Sequence, residues 1–275
     1  MLTRLGFATA GLDAKLLTGH ALGLDALALA TRENDPVDAT GAAHVATLIQ
    51  RRMSGESVAR IMGEKEFYGL AFGLNAATLE PRPDTELLVD LALEALPSGG
   101  HMLDLGTGTG CIPISILANR ANATGVATDI SAEALDMARQ NAARHGVERR
   151  LDFARGDWFG ALQAGAQFDL VVSNPPYISS AVIDTLSPEV KAFDPMLALD
   201  GGPDGLAPYR IISAEAARFL RPGGRLLVEI GYDQGTQVAE LFARHGLGAI
   251  AVHKDLNGLD RVVCAHQIGD RNTIP

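Results

Sequence analysis

Met102-Leu-Asp-Leu-Gly-Thr-Gly-Thr-Gly-Cys111 carries a short apolar run into a glycine loop, Asp104 to Gly110, and then into an apolar helical stretch that begins at Cys111. Glycines at alternate positions let the backbone pass close to a ligand with no Cβ in the way. The following helix offers N–H groups that have no partner within it. The loop spacing is G-x-G-x-G, which departs from the G-x-G-x-x-G of many dinucleotide sites, and no Gly-Lys-Ser/Thr of a phosphate loop follows. NAD and ATP are therefore disfavoured.

Outward from this loop, short apolar runs alternate with helical stretches: Thr124 to Thr128, Leu151 to Ala154 and Phe168 to Ser173 each precede or follow a helical pattern. That alternation predicts an α/β fold, a Rossmann-like sheet that is mostly parallel. A helix over Ile211 to Leu220 leads into a buried strand, Arg225 to Ile230. Gly248 to His253 and Leu259 to Cys264, joined through Asn257-Gly258, predict a terminal antiparallel hairpin. On the amino-terminal side, apolar residues fall at helical spacing from Leu12 to about Arg60. Asn34-Asp-Pro36 divides an earlier helix from a later one, and Gly63 ends the later one. Glu66 to Leu74 reads as a hairpin and Glu80-Pro-Arg-Pro-Asp84 as a stiff linker, with Asp84 capping a helix that bears Leu87, Leu88, Leu91 and Ala95. The expected division is a helical domain at 1–63, a hairpin and linker at 64–84, and an α/β domain at 85–275.

The strand ends carry the chemistry. Asp129 closes the strand that follows the loop, where a carboxylate can accept both ribose hydroxyls of an adenosine. Ser131 with Glu133 already supplies the next helix cap, so Asp129 is left for a ligand. Gly156-Asp157-Trp158-Phe159 ends the next strand. There Asp157 can accept from an adenine amino group and Trp158 can form an aromatic wall, although a lone Trp beside a Phe is equally a core residue. Phe168 to Ser173 runs into Asn174-Pro-Pro-Tyr177 on the same edge. Two prolines have no N–H and little freedom, which makes the neighbouring carbonyls rigid acceptors. The Asn174 side-chain oxygen and the Pro175 carbonyl can each take one hydrogen of a planar NH2 group, with Pro176 stiffening the turn and Tyr177 stacking on the group. A nitrogen so held can attack an electrophile, which makes Asn174, Pro175 and Tyr177 the candidate catalytic residues.

The chain has 275 residues, 47% hydrophobic and 20% charged, which is the composition of a globular protein. Its formal charge of -10 opposes non-specific binding to phosphate backbones or anionic lipid. No apolar stretch is long enough to span a membrane, and Asp13 and Lys15 interrupt the only early candidate for a leader, so a cytoplasmic protein is expected. Cys111 and Cys264 fit no metal spacing, nor do the seven histidines. No metal is expected, and both cysteines read as small buried hydrophobes.

The D-x-G-x-G-x-G loop resembles the cofactor motif of class I S-adenosylmethionine methyltransferases, and Asn174-Pro-Pro-Tyr177 resembles their amino-methylating branch. Gly55-Glu-Ser-Val-Ala59, Glu66-Phe-Tyr68, Pro81-Arg-Pro-Asp-Thr-Glu86, Gly156-Asp-Trp158 and Gly201-Gly-Pro-Asp-Gly205 extend the likeness over nearly the whole chain. Together they resemble the HemK-type release-factor glutamine methyltransferase family. The resemblance implies that Gly106, Thr107, Gly108, Thr109, Gly110, Asp129 and Trp158 hold S-adenosylmethionine, leaving S-adenosylhomocysteine as product. It also implies that Asn174 to Tyr177 hold the glutamine of the Gly-Gly-Gln loop of peptide chain release factors, which would be the partners, and that the helical domain recognises them. Glu80 stands where the family usually has an apolar residue, and the stretch before Leu12 is short.

Two other readings remain open. Adenine N6, or another exocyclic amine of nucleic acid, offers the same NH2 geometry. The overall charge opposes it, and Arg51, Arg52, Arg60 and Arg82 are the only cations placed to help. A non-catalytic S-adenosylmethionine-binding protein is the other reading, but it would not need the amine clamp.

Overall fold

The computed structural model describes residues 1–268, the side chains of Pro188 and Glu189 excepted; the end of the expected 85–275 domain thus lies outside the described residues. The amino-terminal part forms helices α1 (Ala10–Leu22), α2 (Ala26–Thr31), α3 (Ala39–Met53) and α4 (Val58–Met62). Periodicity predicts one break, near Pro36, but the chain also turns at Gly23 (φ 64°) and Gly55 (φ 99°). Asp25, Asp38 and Ser57 restart the helices: each side chain accepts from a backbone N–H three residues on. Leu17, Leu48 and Ile61 form a small buried core between these helices.

The expected hairpin is present as β1 (Glu64–Phe67) and β2 (Leu70–Gly73). Its two-residue turn has positive φ at both Tyr68 (52°) and Gly69 (73°), the twist that matches the strands. Phe67 and Phe72 are buried in the main core, so the hairpin packs as part of the α/β unit. Helix α5 (Glu86–Ala95) follows, but Asp84 does not cap it. Pro83 starts a 3-10 turn, Pro83–Thr85, that puts Thr85 at the cap position. Asp84 instead pairs with Arg261 at 3.1 Å.

From there the chain runs β3 (His101–Leu105), α6 (Cys111–Asn119), β4 (Thr124–Asp129), α7 (Ala132–Arg144), β5 (Leu151–Arg155) and β6 (Phe168–Ser173). After the short helices α8 (Ser180–Ile183) and α9 (Pro188–Phe193) come α10 (Ala207–Phe219), β7 (Leu220–Glu229), α11 (Gly235–Arg244), β8 (Leu247–Lys254) and β9 (Asp260–Gln267). The seven strands order as β5-β4-β3-β6-β7-β9-β8. The strands from β5 to β7 pair in parallel, and β9 is antiparallel to both β7 and β8, as the sequence predicts. Strand β7 starts at Leu220 instead of Arg225, because Arg221-Pro-Gly-Gly224 passes along β6 with an irregular register.

Alternate residues of the central strands face two cores. Met102, Leu170, Val172 and Leu227 pack with α5 and α6, while Leu103, Leu105, Val171 and Leu226 pack with α10 and α11. Strand order reverses at β3, whose neighbours β4 and β6 follow it on opposite sides. The crevice at the carboxyl ends there is where such sheets take ligands. Cys111 is buried and Cys264 half-buried, both as free thiols, and burial pushes each up to about 12. Among the described residues no helix is long and apolar enough to cross a membrane.

A buried ion pair holds the helical unit together. Arg52 Nε donates to Asp13 Oδ2 at 2.7 Å, with side chains 10% and 6% exposed, and the guanidinium also lies 4.0 Å over the Phe7 ring. Removing one partner leaves the other charge desolvated. Asp13→Ala should therefore cost on the order of 3 kcal/mol, seen as a lower urea midpoint and as faster hydrogen exchange confined to α1 and α3. An unchanged midpoint would show that the pair contributes nothing net.

Candidate active site

A cleft of about 210 Å³ opens at the carboxyl ends of β3, β4, β5 and β6. The glycine loop forms its floor. Gly106 (φ 73°), Gly108 (φ 54°) and Gly110 (φ 79°) all occupy the left-handed region. The Gly106 and Thr107 N–H groups both donate to the Thr128 carbonyl at 2.9 Å, which ties the loop to the end of β4. A Cβ added at Gly106 or Gly108 would meet no protein atom within 4 Å and would stand in the cleft itself. At Gly110 it would lie 2.8 Å from Ile114 Cδ1 and 3.2 Å from Ala138 Cβ, so that glycine serves the packing of α6 on α7.

Asp129 lines the cleft. Its Oδ2 accepts from the Gly108 N–H and its Oδ1 from the Ser131 N–H, both at 2.9 Å. The carboxylate is thus fixed against the loop and still has lone pairs for a ligand. Ser131 caps α7 as expected, accepting from the Ala134 N–H at 3.1 Å. Asp157 and Trp158 lie on the cleft wall. Trp158 also packs on the core under α10, so it lies both on the cleft and against the core. Its φ of 46° is a strained conformation for a bulky residue.

Asn174-Pro-Pro-Tyr177 divides. Asn174 and Pro176 line the cleft, whereas Pro175 is buried and Tyr177 is half-buried against the core under α10. The stacking role expected for Tyr177 is not what this arrangement provides. Its carbonyl accepts from Gln234 Nε2 at 3.0 Å, and burial pushes its hydroxyl up to about 12. Among the described residues no hydrogen-bond donor is bound to the Pro175 carbonyl, which leaves it available as an acceptor. Asn174 Nδ2 donates to Thr85 Oγ1 at 3.2 Å, and this turns Oδ1 away from Thr85. Gly201 and Gly205 explain their motif by close approach. A Cβ at Gly201 would sit 2.9 Å from the Pro176 carbonyl, and one at Gly205 would collide with that of Tyr177.

Sequence reasoning assigned no role to several residues at this edge. Asp104 is fully buried under the loop, and both its carboxylate oxygens lack a hydrogen-bond partner among the described residues. Burial pushes it up to about 7; the Thr107 hydroxyl opposes the shift without reaching hydrogen-bond geometry, and Asp129 adds to it. A charged residue inside an otherwise apolar strand was the available signal. Glu80 lines the cleft. Burial would raise it, but Ser57 (2.7 Å), Lys65 (3.1 Å) and Arg82 hold it below its usual range. Thr85 also lines the cleft, and Glu229 is buried at the end of β7.

Residues 83–188 match the Methyltransferase small domain family and residues 1–63 match the PrmC N-terminal domain family. A release factor glutamine methyltransferase of Agrobacterium fabrum is 46% identical over 94% of this chain and 91% of its own length. One of Caulobacter vibrioides is 46% identical over 92% of this chain and 88% of its own. In fold, the chain is similar to a methyltransferase from Pyrococcus furiosus, with a TM-score of 0.56 at 16% identity, covering 81% of this chain and 99% of that one. With a switch-point cleft floored by a glycine loop and with relatives this similar along nearly their whole length, the chain belongs to the release factor glutamine methyltransferase family.

Proposed function

We propose that the cleft binds S-adenosylmethionine and that Asn174 and the Pro175 carbonyl hold the side-chain amide of a release factor glutamine, in its Gly-Gly-Gln motif, for methylation on nitrogen. The observation that carries this is the placement of Asn174. Its Nδ2 is tied back to Thr85 while its Oδ1 is left as an acceptor, directly after Ser173, which pairs with Leu105 just before Gly106.

The residues present fit the cofactor. Glycines 106 and 108 keep the floor clear where a Cβ would intrude, and Asp129 is a fixed acceptor suited to ribose hydroxyls. Asp104, an orphaned buried carboxylate beneath the loop, favours a cationic ligand. Gly106 to Gly110 and Asp129, with Asp157 and Trp158 on the wall, would hold the group. When bound, S-adenosylmethionine supplies a methyl group on a sulfonium centre, which is an electrophile.

The chain's own task is to make an amide nitrogen reactive, since its lone pair is delocalised. Asn174 Oδ1 and the Pro175 carbonyl take the two N–H hydrogens, fix the nitrogen's orientation and meet the positive charge that grows on it. Holding both reactants in one cleft contributes up to about 7–11 kcal/mol. Tyr177 serves by anchoring the turn.

Charge placement disfavours the nucleic-acid reading. Arg51 pairs with Glu56, Arg52 with Asp13, and Arg60 and Arg82 share Asp194, so each of the candidate cations already has a carboxylate partner. No stable nucleic-acid or membrane partner is inferred, and a substrate that acts in translation puts the enzyme in the cytoplasm. Helices α1 and α2 leave Leu12, Leu16 and Leu27 exposed, which supports a docking role for the helical unit.

Asp129→Ala should weaken S-adenosylhomocysteine binding by roughly tenfold or more, because charge-assisted hydrogen bonds are lost. Calorimetric titration measures it, and an unchanged Kd would move the ribose site elsewhere.

Asn174→Ala should leave that Kd nearly unchanged while turnover of an intact release factor falls roughly a hundredfold, as when one preorganised polar group is removed. Near-normal turnover at saturating substrate would sink the amine clamp.

A further inference from the structure

Glu229 is a buried acid, 1% exposed, that the chemistry above does not use. Strands β6 and β7 pair Ser173 with Val228, so the next residues, Asn174 and Glu229, stand level at the sheet edge. Thr85, 2% exposed, completes the cluster, accepting from Asn174 Nδ2 at 3.2 Å. A threonine at a helix cap ordinarily turns its oxygen to its own helix, yet Thr85 makes no cap bond to α5. Glu229 Oε2, for its part, is buried with no hydrogen-bond partner among the described residues. Burial pushes this carboxyl up to about 7, against the opposing pull of the Thr85 hydroxyl, Arg261 and Asn174.

We infer that Glu229, acting through Thr85, decides which way round the Asn174 amide sits. The inference rests on Asn174 being the substrate's acceptor. The two ends of an asparagine amide are nearly equal in size, and a threonine hydroxyl can give or take a hydrogen bond. If Thr85 donates to Asn174, the amide turns its NH2 into the cleft, where it opposes the substrate's own NH2. With the Glu229 carboxylate accepting the hydrogen bond that the Thr85 hydroxyl donates, that hydroxyl can only accept from Asn174. Nδ2 then binds Thr85, and Oδ1 is presented to the cleft. No hydrogen bond joins Thr85 to Glu229 in this structure, and the inference requires one to form when substrate arrives. Thr85 and Glu229 are thus positioning residues.

The test is a double-mutant cycle on the full-length protein with an intact release factor, reading kcat, KM and the Kd for S-adenosylhomocysteine. Thr85→Val should lower kcat on the order of tenfold, the scale of one lost hydrogen bond, with KM and Kd little changed. Thr85→Ser, which keeps the hydroxyl, should restore most of the loss. In the Asn174→Ala background, Thr85→Val should cost nothing further. Glu229→Leu, which removes the acceptor, should give the same loss and the same non-additivity, and it stands in if Thr85→Val does not fold. Losses that add to that of Asn174→Ala, or a Thr85→Ser as slow as Thr85→Val, overturn the inference. Full turnover by Asn174→Ala alone would instead sink the acceptor reading beneath it.

Discussion

The register between β3 and β6 is the constraint on which the site depends. These parallel strands pair Leu105 with Ser173, and the buried Ser173 hydroxyl donates to the Leu105 carbonyl at 2.8 Å. Gly106 and Asn174 are the next residues on each strand, so this pairing brings the glycine loop and Asn174 to one level. Slipping the register by one residue would carry each side chain of β6 to the other face, with Leu170 and Val172 leaving their core. The hydrophobic pattern that fixes the fold therefore also fixes the catalytic geometry.

The same edge concentrates buried acid. Asp104 and Glu229 project to one face of the sheet, each pushed up to about 7 chiefly by burial, with Asp129 adding to the first and Asp84 to the second. A carboxyl raised in this way contributes most to stability below its unfolded value and loses that contribution as pH rises through about 7. Near neutrality the fold bears the strain of these acids. A cationic ligand would relieve Asp104, while Arg261 and the Thr85 hydroxyl already oppose the shift of Glu229. Two acids that look alike in sequence are thus set apart by what faces them.

Much of this was legible before any coordinates. The strand-loop-helix at Asp104 to Cys111, the acid at Asp129 and the proline pair after Asn174 depend on local spacing, and spacing is what a sequence displays. Tyr177 packs against the core with its carbonyl bound to Gln234, a residue 57 positions away, and local spacing shows neither partner. Asp84 was misjudged for a similar reason, since its partner Arg261 lies on the last strand of the sheet. Glu229 carries no motif, and Thr85, though inside the Pro81-Arg-Pro-Asp-Thr-Glu86 stretch, had no role to read from it. Strand order makes Glu229 a neighbour of Asn174, and the turn before α5 brings Thr85 to it.

The helical unit is joined to the site more closely than its lack of catalytic residues suggests. Arg60 of α4 donates to Asp194 at 2.6 Å, with side chains 7% and 6% exposed, and to the Thr78 carbonyl at 2.8 Å. Pro195, next to Asp194, lines the cleft, as does Glu80, which accepts from the α4 cap residue Ser57. A desolvated pair is costly to separate, because each charge would be left buried alone. Helix α4 is therefore fastened to both lips of the cleft instead of hinged beside it. On the reading proposed above, a release factor docked on the helices would be held at a fixed offset from Asn174, and binding energy gained far from the glutamine would go into placing its amide nitrogen.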